Sequence, residues 1–460
     1  MKIFTSNPAL LFVLSFLSVI LLGSAMLMLP WATNGGSNYL DALFISTSAV
    51  CVTGLATVDT SSFYTQFGQV VILCLIQIGG LGILTFISYF SYFFKRNASY
   101  KSQEMMGAMN NVENLGDVFK TLRNILIVTF SIESVGAILI FCSISENLIP
   151  NVFDRIGFSI FHAVSGFCNA GFSLMKNSLY EEPYRHNYFF QLSVAAMIIL
   201  GGLGFPIIVN IRRFFYCKIS NFIRRIFNQQ GIRFKKPIMS LDSYLSIVMT
   251  TILLLTGTIF FLAFEYNGAL AEHSLFGKIV IAFCSSVTTR TAGFNSVDFG
   301  ALSMPVTLVV IFLMWIGASP ASTGGGIKTN TFAVACMNIL SIVKGKRHVE
   351  VFHREIPHHT INLAFVVVML SVFVISLSVF GLMMSDTDKG LVNIVFETVS
   401  AYGTVGLSRG ITSSLSDPGK LIIIATMFIG RMSALTFLMA FVRRGKVKEY
   451  RYPKENILIN

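Results

Sequence analysis

Four times in this chain an apolar stretch too short to cross a bilayer runs into a small loop that closes on Gly-Leu or Gly-Phe. The loops read Cys51-Val52-Thr53-Gly54-Leu55, Cys168-Asn169-Ala170-Gly171-Phe172, Arg290-Thr291-Ala292-Gly293-Phe294 and Gly403-Thr404-Val405-Gly406-Leu407. Their glycines are 117, 122 and 113 residues apart. The half-length segments before them cover about 40–54, 155–168, 276–289 and 391–402. Longer apolar runs precede these at 8–29, 121–143, 243–265 and 361–384, and others follow at 67–94, 187–211, 302–341 and 418–442. The second runs share a mid-run glycine at Gly79, Gly201, Gly317 and Gly430. Self-similarity over such a period governs the reading of the whole fold. The expected unit is a spanning helix, a half-helix, a glycine loop and a second spanning helix, made four times.

Bulk composition supports a membrane chain. Of the 460 residues 54% are hydrophobic and 12% charged, about half the charge of a soluble domain. Runs near 20 apolar residues are long enough to span. The expectation is an all-α membrane protein of eight transmembrane helices and four re-entrant half-helices around one central pore. The repeats are placed at 1–96, 97–213, 214–346 and 347–442, with a tail at 443–460. Pro8 suits the first turn of a retained first helix; a run of about 22 residues is long for a cleaved signal peptide.

The net charge is +12, and 24 of the 34 Lys and Arg fall in five segments: the N-terminus, 95–123, 212–241, 341–360 and 443–460. These are both termini and the three inter-repeat linkers. A basic excess on one side is the positive-inside pattern, so both termini are expected in the cytoplasm of a multi-pass plasma-membrane protein. That explains the charge without nucleic acid. The run from Arg224-Arg225 to Lys235-Lys236 suits anionic lipid heads. Seven cysteines without a Cys-x-x-Cys pair point to no disulfide framework and no structural zinc.

Non-helical backbone at membrane depth is tolerated only where it packs in protein or lines a watery cavity. Four equivalent loops around one axis supply such a cavity. Each half-helix directs a C-terminus, with about half a negative charge, at the bilayer middle, which favours a cation. Backbone carbonyls then replace its hydration shell. The candidate K⁺ selectivity filter is Val52, Thr53 and Gly54; Asn169, Ala170 and Gly171; Thr291, Ala292 and Gly293; and Thr404, Val405 and Gly406. Leu55, Phe172, Phe294 and Leu407 are expected to pack behind it. Gly suits the unusual φ/ψ and the crowding of four backbones. The Gly-Gly-Leu-Gly stretches at 79–82 and 201–204 are read as close helix packing.

The loops, with Gln77-Ile78-Gly79-Gly80-Leu81-Gly82 and Gly430-Arg431, resemble the Trk/Ktr/HKT superfamily of potassium transporters along essentially the whole chain. The resemblance is greatest to the membrane subunit of Ktr systems, because one helix and not three precedes the first loop. In that superfamily a Ser at the first filter position accompanies Na⁺ permeation, so Gly54 implies K⁺ selectivity. The resemblance also implies a homodimer and a separate cytoplasmic nucleotide-binding regulatory ring. The basic linkers and the tail are the expected docking surface.

Within the third repeat, Gly317-Ala318-Ser319-Pro320-Ala321-Ser322-Thr323-Gly324-Gly325-Gly326-Ile327-Lys328 cannot continue a helix. The resemblance implies an intramembrane gating loop at 318–328, with Lys328 at its end. Arg431, inside an apolar run, is a functional residue by default. It is expected to bond the carbonyls of that loop and add a positive barrier. Arg290 should pair away from the axis, with Glu397 or Asp298 as partner. Glu133 and Glu397 are read as packing-network carboxylates. His348, His353, His358 and His359 lack metal-ligand spacing and are read as a solvated or partner-facing segment. No bound cofactor is expected, and K⁺ is the cargo. Channel-like flux and Na⁺-coupled flux both fit. The alternative is a secondary transporter of another small solute, which would need charged residues at midplane. No catalytic constellation lies within the spans, so an enzyme is not expected.

Overall fold

The computed structural model describes residues 8–36, 38–82, 118–226, 240–346, 348–352 and 354–441. Lys2, the stretches 83–117 and 227–239, His353 and the tail 443–460, on which parts of the charge and domain expectations rest, lie outside the described residues.

Apart from one two-stranded hairpin, the regular structure is helical. Helices α1 (Pro8–Leu27), α4 (Val118–Ser143), α8 (Leu241–Phe264) and α12 (His358–Ser385) have 20 to 28 residues. Each contains a stretch long and apolar enough to cross a membrane unaided. They are apolar nearly all round, and Leu22, Ile138, Ile259 and Phe373 point outward from them. An outward apolar surface is what a hydrocarbon solvent requires.

Helices α2 (Tyr39–Val50), α5 (Val152–Cys168), α9 (Leu275–Thr288) and α13 (Leu391–Gly403) have 12 to 17 residues. At 1.5 Å per residue they fall short of a bilayer core of about 30 Å. Their starts are local in origin. Asn151 Oδ1 accepts from Phe153 N at 3.1 Å, and Ser274 Oγ accepts from Gly277 N at 3.2 Å, the usual N-cap bonds. The C-terminal parts of these short helices lie inside the molecule, where Phe44, Phe167, Ile281 and Phe396 are fully buried, while Phe153, Leu275 and Leu391 at their starts are exposed.

The remaining helices correct the expectation of unbroken second spans. Helix α3 (Gln66–Leu81) stops at Gly82, which has φ 82°. Helix α6 (Tyr188–Leu203) stops at Gly204, φ 84°, and α7 (Phe205–Ile226) leaves at 101°. Helix α10 (Met304–Trp315) gives way to an irregular segment at 316–328 before α11 (Thr329–Val343). Helix α14 (Asp417–Met432) turns by 94° at Ser433, φ 67°, into α15 (Ala434–Phe441). The runs expected over 187–211 and 418–442 are therefore interrupted, and the one over 67–94 is helical only to Leu81 within the described residues. A left-handed residue ends a helix whatever the hydropathy around it.

The glycines before these breaks touch the ends of the half-helices. An added β carbon at Gly79, Gly201 or Gly430 would strike the carbonyl of Val50, Phe167 or Tyr402. Backbone thus rests on backbone, as at close helix contacts in membranes. First and last quarters of the chain are joined by an ion pair of Lys420 Nζ on α14 with Asp41 Oδ1 on α2, at 2.8 Å. Between α11 and α12 the hairpin pairs β1 (Glu350–Val351) with β2 (Arg354–Glu355), Glu350 facing Glu355.

Candidate functional site

At the C-terminal end of each half-helix the backbone turns left-handed twice. Val52, Asn169, Thr291 and Thr404 have φ of 56°, 60°, 64° and 49°, and Gly54, Gly171, Gly293 and Gly406 have φ of 92°, 70°, 73° and 91°. A non-glycine residue in this region costs about 1–2 kcal/mol. Four equivalent cases mark a conformation that the surroundings impose.

The four loops close on one another in order. A β carbon on Gly54 would lie 2.5 Å from Ala170 O, and one on Gly171 would lie 2.7 Å from Ala292 O. On Gly293 it would collide with Val405 O, and on Gly406 with Thr53 O. Each glycine faces the carbonyl of the residue just before the next loop's glycine, and the fourth loop returns to the first. The carbonyls of Thr53, Ala170, Ala292 and Val405 thus lie within one closed ring. Leu55, Phe172, Phe294 and Leu407 are buried around it.

Hydroxyls at the helix ends hold the loops. Ser48 Oγ accepts from Gly54 N at 3.0 Å and Ser400 Oγ from Gly406 N at 3.1 Å. Ser165 Oγ donates to Phe172 O and Thr288 Oγ1 to Phe294 O, both at 2.7 Å. The sequence reading missed these residues. The signal was present, since Ser48, Ser165 and Ser400 each stand six positions before their glycine. A cavity of about 580 Å³ lies against the ring, lined by all four glycines and by Asp59, Ser173, Lys176, Asp298, Ser408 and Thr412.

The segment 316–328 contacts the loops. Its neck is closed by Gly317 N donating to Ile327 O at 2.8 Å and Thr329 N to Ala318 O at 3.2 Å. Ser319 N donates to Gly202 O at 3.0 Å, and Thr323 Oγ1 donates to Phe167 O at 3.2 Å. Gly325 N donates to Thr404 Oγ1 at 3.0 Å. A β carbon on Gly324 would meet Thr291 Oγ1, and one on Gly325 would lie 2.8 Å from Thr404 Cγ2. Gly326, φ 66°, lies on Gly403. Ser322 Oγ donates to Ser319 O and Lys328 Nζ to Gly324 O, both at 2.5 Å. Arg431 donates from Nη1 to Thr323 O and from Nη2 to Gly79 O, the latter at 2.5 Å.

The partner expected for Arg290 is not the one found. Its Nη2 lies 3.4 Å from Thr250 Oγ1 and 3.5 Å from Gly317 O. Among the described residues no carboxylate pairs with it. Glu397 accepts from Thr412 Oγ1, and Asp298 Oδ1 from Gly300 N at 2.8 Å. The guanidinium thus meets a hydroxyl of α8 and the first carbonyl of the 317–328 segment in place of a carboxylate. Glu133 accepts from Gln77 Nε2 at 3.0 and 3.2 Å. His348 Nδ1 lies 2.9 Å from Glu355 Oε1, and the described residues contain no group of three or more His, Cys, Asp or Glu arranged to hold a metal. All seven cysteines are unpaired.

The sequence pattern of the TrkH family, described as cation transport protein, matches residues 5–450. The Ktr system potassium uptake protein B of Bacillus subtilis is 34% identical over 453 residues, 97% of this chain and 95% of that protein. The potassium/sodium uptake protein NtpJ of Enterococcus hirae is 34% identical over 463 residues, 98% of this chain and 97% of that protein. The crystal structure of the potassium transporter TrkH from Vibrio parahaemolyticus shares the fold, with a TM-score of 0.69 at 17% identity over 94% of this chain and 84% of that one. A full-length family match and relatives of this identity place the chain in the TrkH family of cation transport proteins.

Proposed function

We propose that the chain takes up K⁺ across the cell membrane through the closed ring of four loops. One observation carries the reading: each of four glycines packs on the carbonyl of the next loop, so backbone oxygens from four directions surround one axis. In hydrocarbon, irregular backbone of this kind needs a polar occupant, and inward carbonyls with four half-helix C-termini favour a dehydrated cation. The ion is coordinated by carbonyls of the residues at 52–54, 169–171, 291–293 and 404–406. The segment 317–328, with Arg431 and Lys328 bonded to its carbonyls, is the gate.

In this reading the quarters 1–96, 97–213, 214–346 and 347–442 each contribute two crossings, eight in all, and both termini lie in the cytoplasm. The chain works as a homodimer under a cytoplasmic nucleotide-binding ring; the Ktr system name of its relatives supports only that several components act together. Na⁺ is included as a coupled or competing ion, in line with the potassium/sodium name of the Enterococcus relative.

The test is tracer uptake into proteoliposomes holding the full chain. Rb⁺ entry should be competed by K⁺ strongly, by Na⁺ weakly, and by amino acids or sugars not at all. Competition by an organic solute would favour the secondary-transporter alternative.

A further inference from the structure

We propose that Thr404 is a positioning residue through which ion occupancy of the ring and the position of the 316–328 segment act on each other. The inference rests on the filter-and-gate reading above and names the link between its two parts.

Thr404 is fully buried and stands two positions before Gly406. Its backbone is one of the four left-handed residues of the ring. Its side chain is the acceptor for Gly325 N, 79 residues away and at the middle of the triple glycine. Turning the peptide units that carry the Thr404 and Val405 carbonyls therefore swings the oxygen on which the segment hangs. The same layer continues into the third and second loops. Thr291 Oγ1 leaves no space for a side chain at Gly324, and it lies 3.1 Å from the amide of Asn169. Only the first loop lacks a polar group at this level, because it carries Val52. On that side Arg431 joins Thr323 O to Gly79 O instead.

The triple glycine acquires a second reason from this contact. Gly324 and Gly325 are small because the segment lies directly on the side chains of the third and fourth loops. Coupling of this kind is reciprocal: an ion that shifts the ring shifts the segment, and a displaced segment changes ion affinity by the same factor.

The experiment uses the full-length chain in proteoliposomes without any partner and reads Rb⁺ influx and Rb⁺-over-Na⁺ preference. Thr404→Val keeps the shape and removes the acceptor, whereas Thr404→Ser keeps the acceptor. Thr404→Val should raise resting Rb⁺ influx about fivefold, the factor one net hydrogen bond contributes. Thr404→Ser restores the acceptor and should bring influx back down well below that of Thr404→Val. In a chain whose residues 318–326 are replaced by a shorter linker, Thr404→Val should add nothing. Wild-type influx in Thr404→Val, or a fivefold rise that persists with the shortened segment, would overturn the coupling. So would a changed Rb⁺-over-Na⁺ preference without a change in influx, which would make Thr404 an ion ligand only. If shortening the segment leaves influx at the wild-type level, the gate reading fails first. Thr404→Ala, which lacks both acceptor and bulk, carries the same prediction should the valine variant not fold.

Discussion

Gly54→Ser is the sharpest probe of the ring. At φ 92° any side chain is strained, and the new β carbon would stand 2.5 Å from Ala170 O and 3.1 Å from Gly171 Cα. A normal carbon–oxygen contact is roughly 3.3–3.6 Å, so one partner must retreat by about 0.8 Å. Neither partner is a free side chain end; both are backbone of the adjoining loop. The left-handed penalty of roughly 1–2 kcal/mol adds to the collision. Relief by turning the Ala170 carbonyl away takes one oxygen off the axis. A distortion of about 1–2 kcal/mol that falls on K⁺ binding corresponds to a 5–30-fold loss of preference. The assay is Rb⁺ influx in proteoliposomes competed by K⁺ and Na⁺, with a melting curve in detergent to show that the variant folds. A folded Gly54→Ser chain that still prefers K⁺ as strongly as wild type would refute the ring as the site of selection. Gly171→Ser, with its nearest contact at 2.7 Å, should be milder than the same change at Gly293 or Gly406, where the collision is closer.

Arg431→Gln should raise partner-free Rb⁺ influx, because it removes a permanent charge and the paired bonds to Thr323 O and Gly79 O; unchanged influx would count against a barrier there. Gly201→Ala forces a methyl onto Phe167 O and should lower the melting temperature of the detergent-solubilised chain by several degrees, roughly the effect of 1–3 kcal/mol of overpacking. Asp386 follows α12, outside the span. Burial alone would raise its carboxyl, but donors from Ser385 Oγ, Ser416 N and Ser416 Oγ at 2.7–2.8 Å, with Lys389, hold it below the usual carboxylate range. A depressed carboxyl stabilises above its unfolded pKa of about 4, and that contribution is lost as pH falls through the lower folded value. Wild type should therefore lose melting temperature more steeply than Asp386→Asn between pH 5 and 3; parallel curves would show that the bonds contribute nothing.

The half-helices were legible because their cause is local. A segment too short to span, followed by a glycine whose backbone must turn left-handed, shows in composition and spacing alone. The interruption at 316–328 was legible for the same reason, since Pro320 and three glycines cannot be helical. The breaks at Gly82, Gly204 and Ser433 were not. Apolar content continues through them, and a single left-handed residue leaves hydropathy unchanged. The packing role read for Gly79 and Gly201 fits their collisions with Val50 and Phe167, yet the last glycine of each stretch, Gly82 or Gly204, ends the helix. Arg290 is expected to pair with a carboxylate because a cation beside a cation filter should be held away from the axis. Its contacts with Thr250 and Gly317, 40 and 27 positions away, depend on a packing that linear spacing does not display. The bond of Thr404 to Gly325 spans 79 residues and joins two stretches that had been read separately.

The ring's cyclic order has a consequence for biosynthesis. Thr53 O leaves the ribosome early, but the glycine that packs on it is Gly406. Lys420 must likewise find Asp41 across 379 positions of sequence. Domains of long chains usually mature from the N-terminus as they emerge. Here the first loop stays one neighbour short until the last quarter has entered the bilayer. A nascent chain carrying one, two or three loops has no closed ring of carbonyls: the ring forms only when the last quarter packs on the first.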